Sequence, residues 1–203
     1  MNEILPGIFH WTARHPKIGF DVSSYFVAES GTVLDPMVPP EGLGWFDGKR
    51  AARALALTNR HHDREAAAYC AALALGPVLA PESGLYELEG RDFEVRGYAP
   101  GEELIPGIVA HEVGAICPDD MALEIRSAGA LAMADGLVHF EDGVRFVRDD
   151  YMDDPAATKR GLVAALERLL DVDFDTLLFA HGQPMVGNGR QALRDFLATN
   201  PAA

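Results

Sequence analysis

The chain has 203 residues, 48% of them apolar and 24% charged, an ordinary globular composition that excludes a disordered, collagen-like or disulfide-stapled protein. Its 17 Lys+Arg stand against 31 Asp+Glu, a net charge of −14. Such a body repels phosphate backbones and anionic lipid, and the arginines are scattered, so nucleic-acid and membrane-surface roles are excluded. The two cysteines, Cys70 and Cys117, are far apart and form no CxxC motif. That usage, with no signal-peptide pattern at Met1–Trp11, leads to the expectation of a cytoplasmic chain forming one domain over residues 1–203. The longest apolar stretch, 66–80, is broken by Gly76-Pro77 and is too short to span a bilayer.

Phe20, Val22, Ser24 and Phe26 alternate as one face of a strand does, and Thr32 to Leu34 runs into Asp35-Pro36, where the pre-proline restriction ends it. A short buried strand, Ala54 to Thr58, leads into the loop Asn59–Arg64. An alanine-rich helix over Glu65–Leu75 follows, with Asp63 placed to cap it. Further alternation at Phe93/Val95, Val109/Val113 and Met121/Leu123/Ile125 predicts more strands, and Leu131–Ala134 reads as a central one. Asp142-Gly143 marks a hairpin within 138–147. Asp154-Pro155 has the form of an N-cap followed by proline at the first helical position, and Leu162, Val163, Leu166, Leu169 and Leu170 form a helical stripe. Thr176–Phe179 is another short buried strand, and a last helix carries Ala192, Leu193, Phe196 and Leu197 on one face.

Three loops follow three buried strands and place polar residues at strand ends: Asn59–Arg64, Asp135-Gly136 and His181-Gly182. Taken alone, an Asp-Gly is most often a turn and a single histidine at a strand end most often a satisfied or solvated side chain. In this order and spacing they resemble the metallo-β-lactamase superfamily, whose pattern is H-x-H-x-D-H after a strand, then G-H-T-P-G, then G-D, then a closing G-H-G loop. The opening 23–35, from Ser23-Ser24-Tyr25-Phe26-Val27 to Asp35, and the closing Leu177–Pro184 also resemble that family.

The resemblance implies an α/β chain folded as a four-layer αβ/βα sandwich, with two mixed sheets face to face and helices outside. It implies metal ligands at His61, Asp63, Asp135 and His181, gathered at one rim. Three ligand positions are altered: Asn59 and Arg64 stand where histidines are expected, and the alignment of 113–119 puts Ile116 at a third. His62 falls on a non-ligand position, and His111 lies upstream of the ligand loop. A guanidinium cannot ligate a metal, so a full dinuclear centre is not expected. One divalent metal (zinc, manganese or iron) on the four matching residues, or none, is the expectation.

Two functions follow. The first is a hydrolase of a small ester, thioester, amide or lactone with a reduced metal site, Asp63 and His61 carrying the catalysis. The second is a non-catalytic binding or regulatory relative in which Arg64 replaces metal charge, bonding directly to Asp135 or Asp63. In both the partner is a small molecule, and the oligomeric state is left open. A weaker third places a nucleophile at Cys117.

Overall fold

The computed structural model describes residues 1–201. Period-two patterning along the first half builds a seven-stranded sheet in sequence order: β1 (Asn2–Leu5), β2 (Ile8–Arg14), β3 (Asp21–Val27), β4 (Thr32–Leu34), β5 (Ala54–Ala56), β6 (Val78–Pro81) and β7 (Val95–Tyr98). β1 to β4 pair antiparallel and β4 to β7 parallel. Phe20 lies just outside β3 and is 61% exposed, so the strand's alternation begins one residue later than the sequence pattern suggests.

The second sheet contains β8 (Glu103–Ile105), β9 (Ile108–Glu112), β10 (Met121–Ile125), β11 (Ala130–Met133) and, after the hairpin of β12 (Val138–Phe140) and β13 (Gly143–Arg145), β14 (Thr176–Phe179). Its order is β14-β11-β10-β9-β8, with β11 and β14 parallel. β11 is therefore interior, as its unbroken apolar run requires.

Each sheet has two buried faces, and the residues alternate between them. Val27, Leu34, Ala56 and Leu79 of the first sheet meet Ala132 and Leu178 of the second in one core. Their neighbours Phe26, Val33, Leu55 and Val78 turn the other way and pack with Ala66 and Tyr69 of α1 (Ala66–Leu73). On the far side Leu131, Met133, Leu177 and Phe179 pack under α2 (Pro155–Leu169) and α3 (Gly189–Thr199). The layers run helix, sheet, sheet, helices: the four-layer sandwich. Asp154 caps α2, its carboxylate accepting from the Ala157 N–H at 3.0 Å, with Pro155 at the first position. α1 begins after Glu65 without a side-chain cap, so Asp63 does not cap it.

The two sheets bring their strand ends to one rim. There Ser23 N–H donates to Ala180 O (2.9 Å), Met121 N–H to Thr58 O (3.0 Å) and the Tyr25 hydroxyl to Phe179 O (2.8 Å). No helix among the described residues is long and apolar enough to cross a membrane.

Candidate metal centre

After β5 the chain turns through a short 3-10 helix, Arg60–Asp63. The Asn59 carboxamide oxygen caps it by accepting from His61 N–H at 3.0 Å. A 3-10 helix has three residues per turn, so positions i and i+3 share a side. Asn59 and His62 therefore point inward together. His62 is 3% exposed, whereas the His61 side chain is 54% exposed and faces Glu87 at 3.8 Å.

His62 lies between two carboxylates. Its Nδ1 is 3.0 Å from Asp35 Oδ2 and 2.8 Å from Thr58 Oγ1, and its Nε2 is 3.3 Å from Asp135 Oδ1. Asp35, at the end of β4, also accepts from the Thr58 N–H and hydroxyl at 2.8 and 2.7 Å. Asp135, at the end of β11, accepts from the Asn59 amide at 2.7 Å and lies 2.9 Å from His181 Nε2, at the end of β14. One donor atom each from His62, Asp135 and His181 all fall within 4.8 Å of one another.

The charges explain the ionisation. Burial pushes His62 down, but the facing Asp35 and Asp135 outweigh it and raise its pKa to about 9. Burial pushes Asp35 and Asp135 up, yet the His62 charge and its bonds hold both carboxyls below their ordinary range, Asp135 well below it with help from His181. Asp120 shows the opposite balance. Its Oδ1 accepts from Asp135 N–H at 3.1 Å, while its buried Oδ2 has no partner among the described residues. Burial and the nearby Asp135 charge push it up to about 8, so it keeps its proton at neutral pH.

Of the four ligands expected from the sequence, Asp135 and His181 converge, and two do not join them. His61 points outward. Asp63 bonds Arg91 at 2.9 Å and accepts from its neighbour Arg64 N–H, so its carboxylate is committed away from the cleft. His62, assigned to a non-ligand position, takes the inward place because the turn is 3-10 and not extended. Ile116, partly buried, packs with Ala115 against the core beneath α2. His111 bonds Glu124 at 3.0 Å. The Cys117 thiol is buried and pushed up by that burial and by Asp120 and Asp119, which removes it as a nucleophile.

Arg64 differs from expectation in its partners. Among the described residues the guanidinium bonds no carboxylate. It donates to Ser23 O (2.6 Å), Asp35 O (2.9 Å) and Ala180 O (3.5 Å), the carbonyls where β3, β4 and β14 meet the rim. Ala180 O also accepts from Ser23 N–H at 2.9 Å and Asp35 O from the Ser24 hydroxyl at 2.5 Å, so the guanidinium fork adds a shared donor to three carbonyls at once. The backbone there is strained, with φ of 38° at a non-glycine residue.

The donor set suits one ion. Two imidazoles and a carboxylate make a common ligand set, and His62 already gives its other nitrogen to Asp35, the supporting carboxylate such a ligand needs. It does not suit two, because Asn59 presents its N–H to Asp135, Ile116 has no donor, and Arg64 places a fixed positive charge beside the site.

No protein-family model matches the chain, and no curated protein does. Solved structures do. The DIM-1 metallo-β-lactamase superposes with a TM-score of 0.71 over 97% of this chain and 95% of that one, at 13% identity. The protein TTHA1623, solved in a di-iron-bound form, matches with a TM-score of 0.61 over 96% and 94%, at 23% identity. Rubredoxin oxygen:oxidoreductase from Desulfovibrio gigas matches 97% of this chain with a TM-score of 0.69 at 16% identity, and the chain spans 60% of its length. The fold is that of the metallo-β-lactamase superfamily.

Proposed function

We propose that the chain is a metal-dependent hydrolase with a single divalent ion, held by His62, Asp135 and His181, acting on a small ester, thioester, amide or lactone. The observation that carries this is the convergence of those three donors within 4.8 Å at a rim where three strands end. Zinc, iron and manganese all suit two imidazoles and a carboxylate. When bound, such an ion would supply Lewis-acid polarisation of the scissile carbonyl.

The chain's own residues prepare the site. Asp35 and Thr58 fix the His62 ring, so its Nε2 faces the cleft. The Asn59 amide holds one oxygen of Asp135 and leaves the other toward the two histidines. Asp135 and His181 are the partly exposed members, with side chains about one-fifth exposed, so substrate meets the cluster there. With Asp63 tied to Arg91, catalysis rests on Asp135 and His181 rather than on Asp63 and His61.

A second reading has its own observation. Asp35 and Asp135 are already matched by two cations, His62 and Arg64, so the cluster is balanced with no ion at all. On that reading the chain is a non-catalytic binding module that kept the fold. Elemental analysis of protein purified without chelator or added metal separates the two. One ion per chain, lost in His62→Ala and in His181→Ala, with hydrolysis of a panel of esters, thioesters and lactones, supports the hydrolase. No uptake of zinc, iron(II) or manganese at millimolar concentration supports the binding module, and uptake of two ions overturns both.

A further inference from the structure

His181 is carried by four residues, Ala180–Gln183, whose backbone is gripped from two sides. From the first sheet, Ser23 N–H donates to Ala180 O at 2.9 Å and the Ser23 hydroxyl donates to Gly182 O at 2.7 Å. From the other side, His139 N–H donates to His181 O at 3.2 Å, His139 Nδ1–H donates to Gln183 O at 2.8 Å, and Gln183 N–H donates to His139 O at 2.9 Å. The carbonyls on both sides of His181 thus both accept from Ser23, and Ala180 O from Arg64 as well. Gly182 allows the approach. Its φ is +98°, and a Cβ there would stand 1.7 Å from His139 O.

Behind Ser23 lies His10, whose Nε2 is 3.0 Å from the hydroxyl oxygen. A serine and a histidine at this distance invite comparison with a nucleophile and its base. The proton inventory decides against it: the serine's one proton goes to Gly182 O, so His10 must be the donor. His10 is buried, stacks on Tyr25 at 5.0 Å between ring centres, and burial lowers its pKa to about 4. It is neutral, and its proton sits on Nε2. The direction of donation therefore runs from His10 to Ser23 to Gly182.

We propose that Ser23, its hydroxyl rotor set by His10, is a positioning residue that fixes the His181 ring toward His62 and Asp135. The ion-holding role rests on the function proposed above. The fixed ring does not, since it is a property of the metal-free chain as well.

The test uses the full chain with two readouts. One is zinc affinity by competition titration. The other is the imidazole NMR signals of His181 in metal-free protein, identified by their loss in His181→Asn. Ser23→Ala is expected to weaken zinc binding about 10-fold to 100-fold, as loss of a ligand's supporting bond does. It is also expected to broaden or shift the His181 ring signals. His10→Phe, which removes the donor but keeps the stacked ring, should move both readouts the same way, and His10→Gln, which restores an N–H, should return them toward wild type. Unchanged ring signals and affinity in Ser23→Ala overturn the proposal. So does weaker binding that merely follows lowered thermal stability, with the ring signals unmoved. Absence of zinc binding in the wild type, with the ring signals still responding to Ser23→Ala and His10→Phe, overturns the hydrolase reading and leaves the positioning role standing.

Discussion

The turn at 59–64 has two faces with opposite fates. On the inner face Asn59, His62 and Arg64 are turned into the rim and engage Asp135, Asp35 and the carbonyls of Ser23, Asp35 and Ala180. On the outer face Arg60 binds Glu87 and the buried Asp119, His61 faces Glu87, and Asp63 binds Arg91. Six consecutive polar residues, similar in kind, are divided by backbone geometry alone. Side-chain chemistry says which residues could hold an ion, and the backbone, a 3-10 turn from Asn59 that breaks to positive φ at Arg64, says which side chains face the rim.

The sharpest way to break this comparison is to exchange effects between the two adjacent histidines. His62→Ala removes a buried cation between the buried Asp35 and the partly exposed Asp135 and should cost roughly 3–5 kcal/mol of stability, as loss of one partner from a buried ion pair does. The same variant should abolish metal uptake, read by denaturant melts and elemental analysis. His61→Ala, one residue away, should leave both measurements near wild type. Equal losses in the two variants would erase the distinction between the faces.

Arg64→Ala comes next. It removes one donor from each of three rim carbonyls, of which Ala180 O keeps the Ser23 N–H and Asp35 O the Ser24 hydroxyl, and should destabilise by about 1–3 kcal/mol, the range for a buried polar group that loses a partner. Arg64→Lys should recover only part of this, because an ammonium cannot reproduce the planar fork. Full recovery by lysine, in thermal or denaturant melts, would show that charge and not geometry matters there.

A smaller effect appears with pH. The His62 pKa is raised in the folded chain to about 9, above its ordinary value of 6.5. The folded state therefore binds the extra proton, and the stability it brings is fully present below about pH 6.5 and lost as pH rises through 9. The midpoint of unfolding of metal-free protein should fall over that window, and His62→Gln should flatten the fall. Asp120, raised to about 8, adds a decline of the same sign from about pH 4 to 8, and Asp120→Asn should remove that part.

The smallest change is expected on the outer face. Glu87→Gln loosens a pair with Arg60 whose acidic partner is 41% exposed, worth less than about 1 kcal/mol at the surface. Arg60 retains its bond to Asp119. A thermal midpoint lowered as far as in Arg64→Ala would show that the outer face carries structure too.

These two faces also mark what the sequence could disclose. The strands and outer helices were legible, because Thr176–Phe179, the Asp154-Pro155 cap and the interior run of β11 are written in local pattern, whereas the four-layer sandwich followed only from the family resemblance. Asp135 and His181 were legible only through the resemblance, since alone a strand-end Asp-Gly reads as a turn and a single histidine as a satisfied side chain. His62 was hidden behind His61, since the match to a spaced motif assumes a backbone conformation, and the 3-10 turn that Asn59 caps shifts the inward position by one. The three acceptors of Arg64 lie 29 to 116 residues away in the chain and are backbone atoms, which leave no trace in side-chain identity. Asp120 was likewise invisible: nothing in Asp119-Asp120 says which carboxylate meets Arg60 and which is buried beneath Asp135.

The bonds that join the sheets at the rim have a kinetic consequence. Ser23 reaches Gly182 across 159 residues and Tyr25 reaches Phe179 across 154. Closing spans of that length costs chain entropy before any contact rewards it, and the cost rises slowly with loop length. Each sheet can gather its nearer strands first, but the rim exists only when the opening hairpin and the closing strand have met. Ser23 N–H, Arg64 and His181 all depend on that one encounter. In a refolding experiment, protection of the Ser23 amide from hydrogen exchange should therefore appear with the slowest phase, after the amides of β10 and β11 are already closed to solvent.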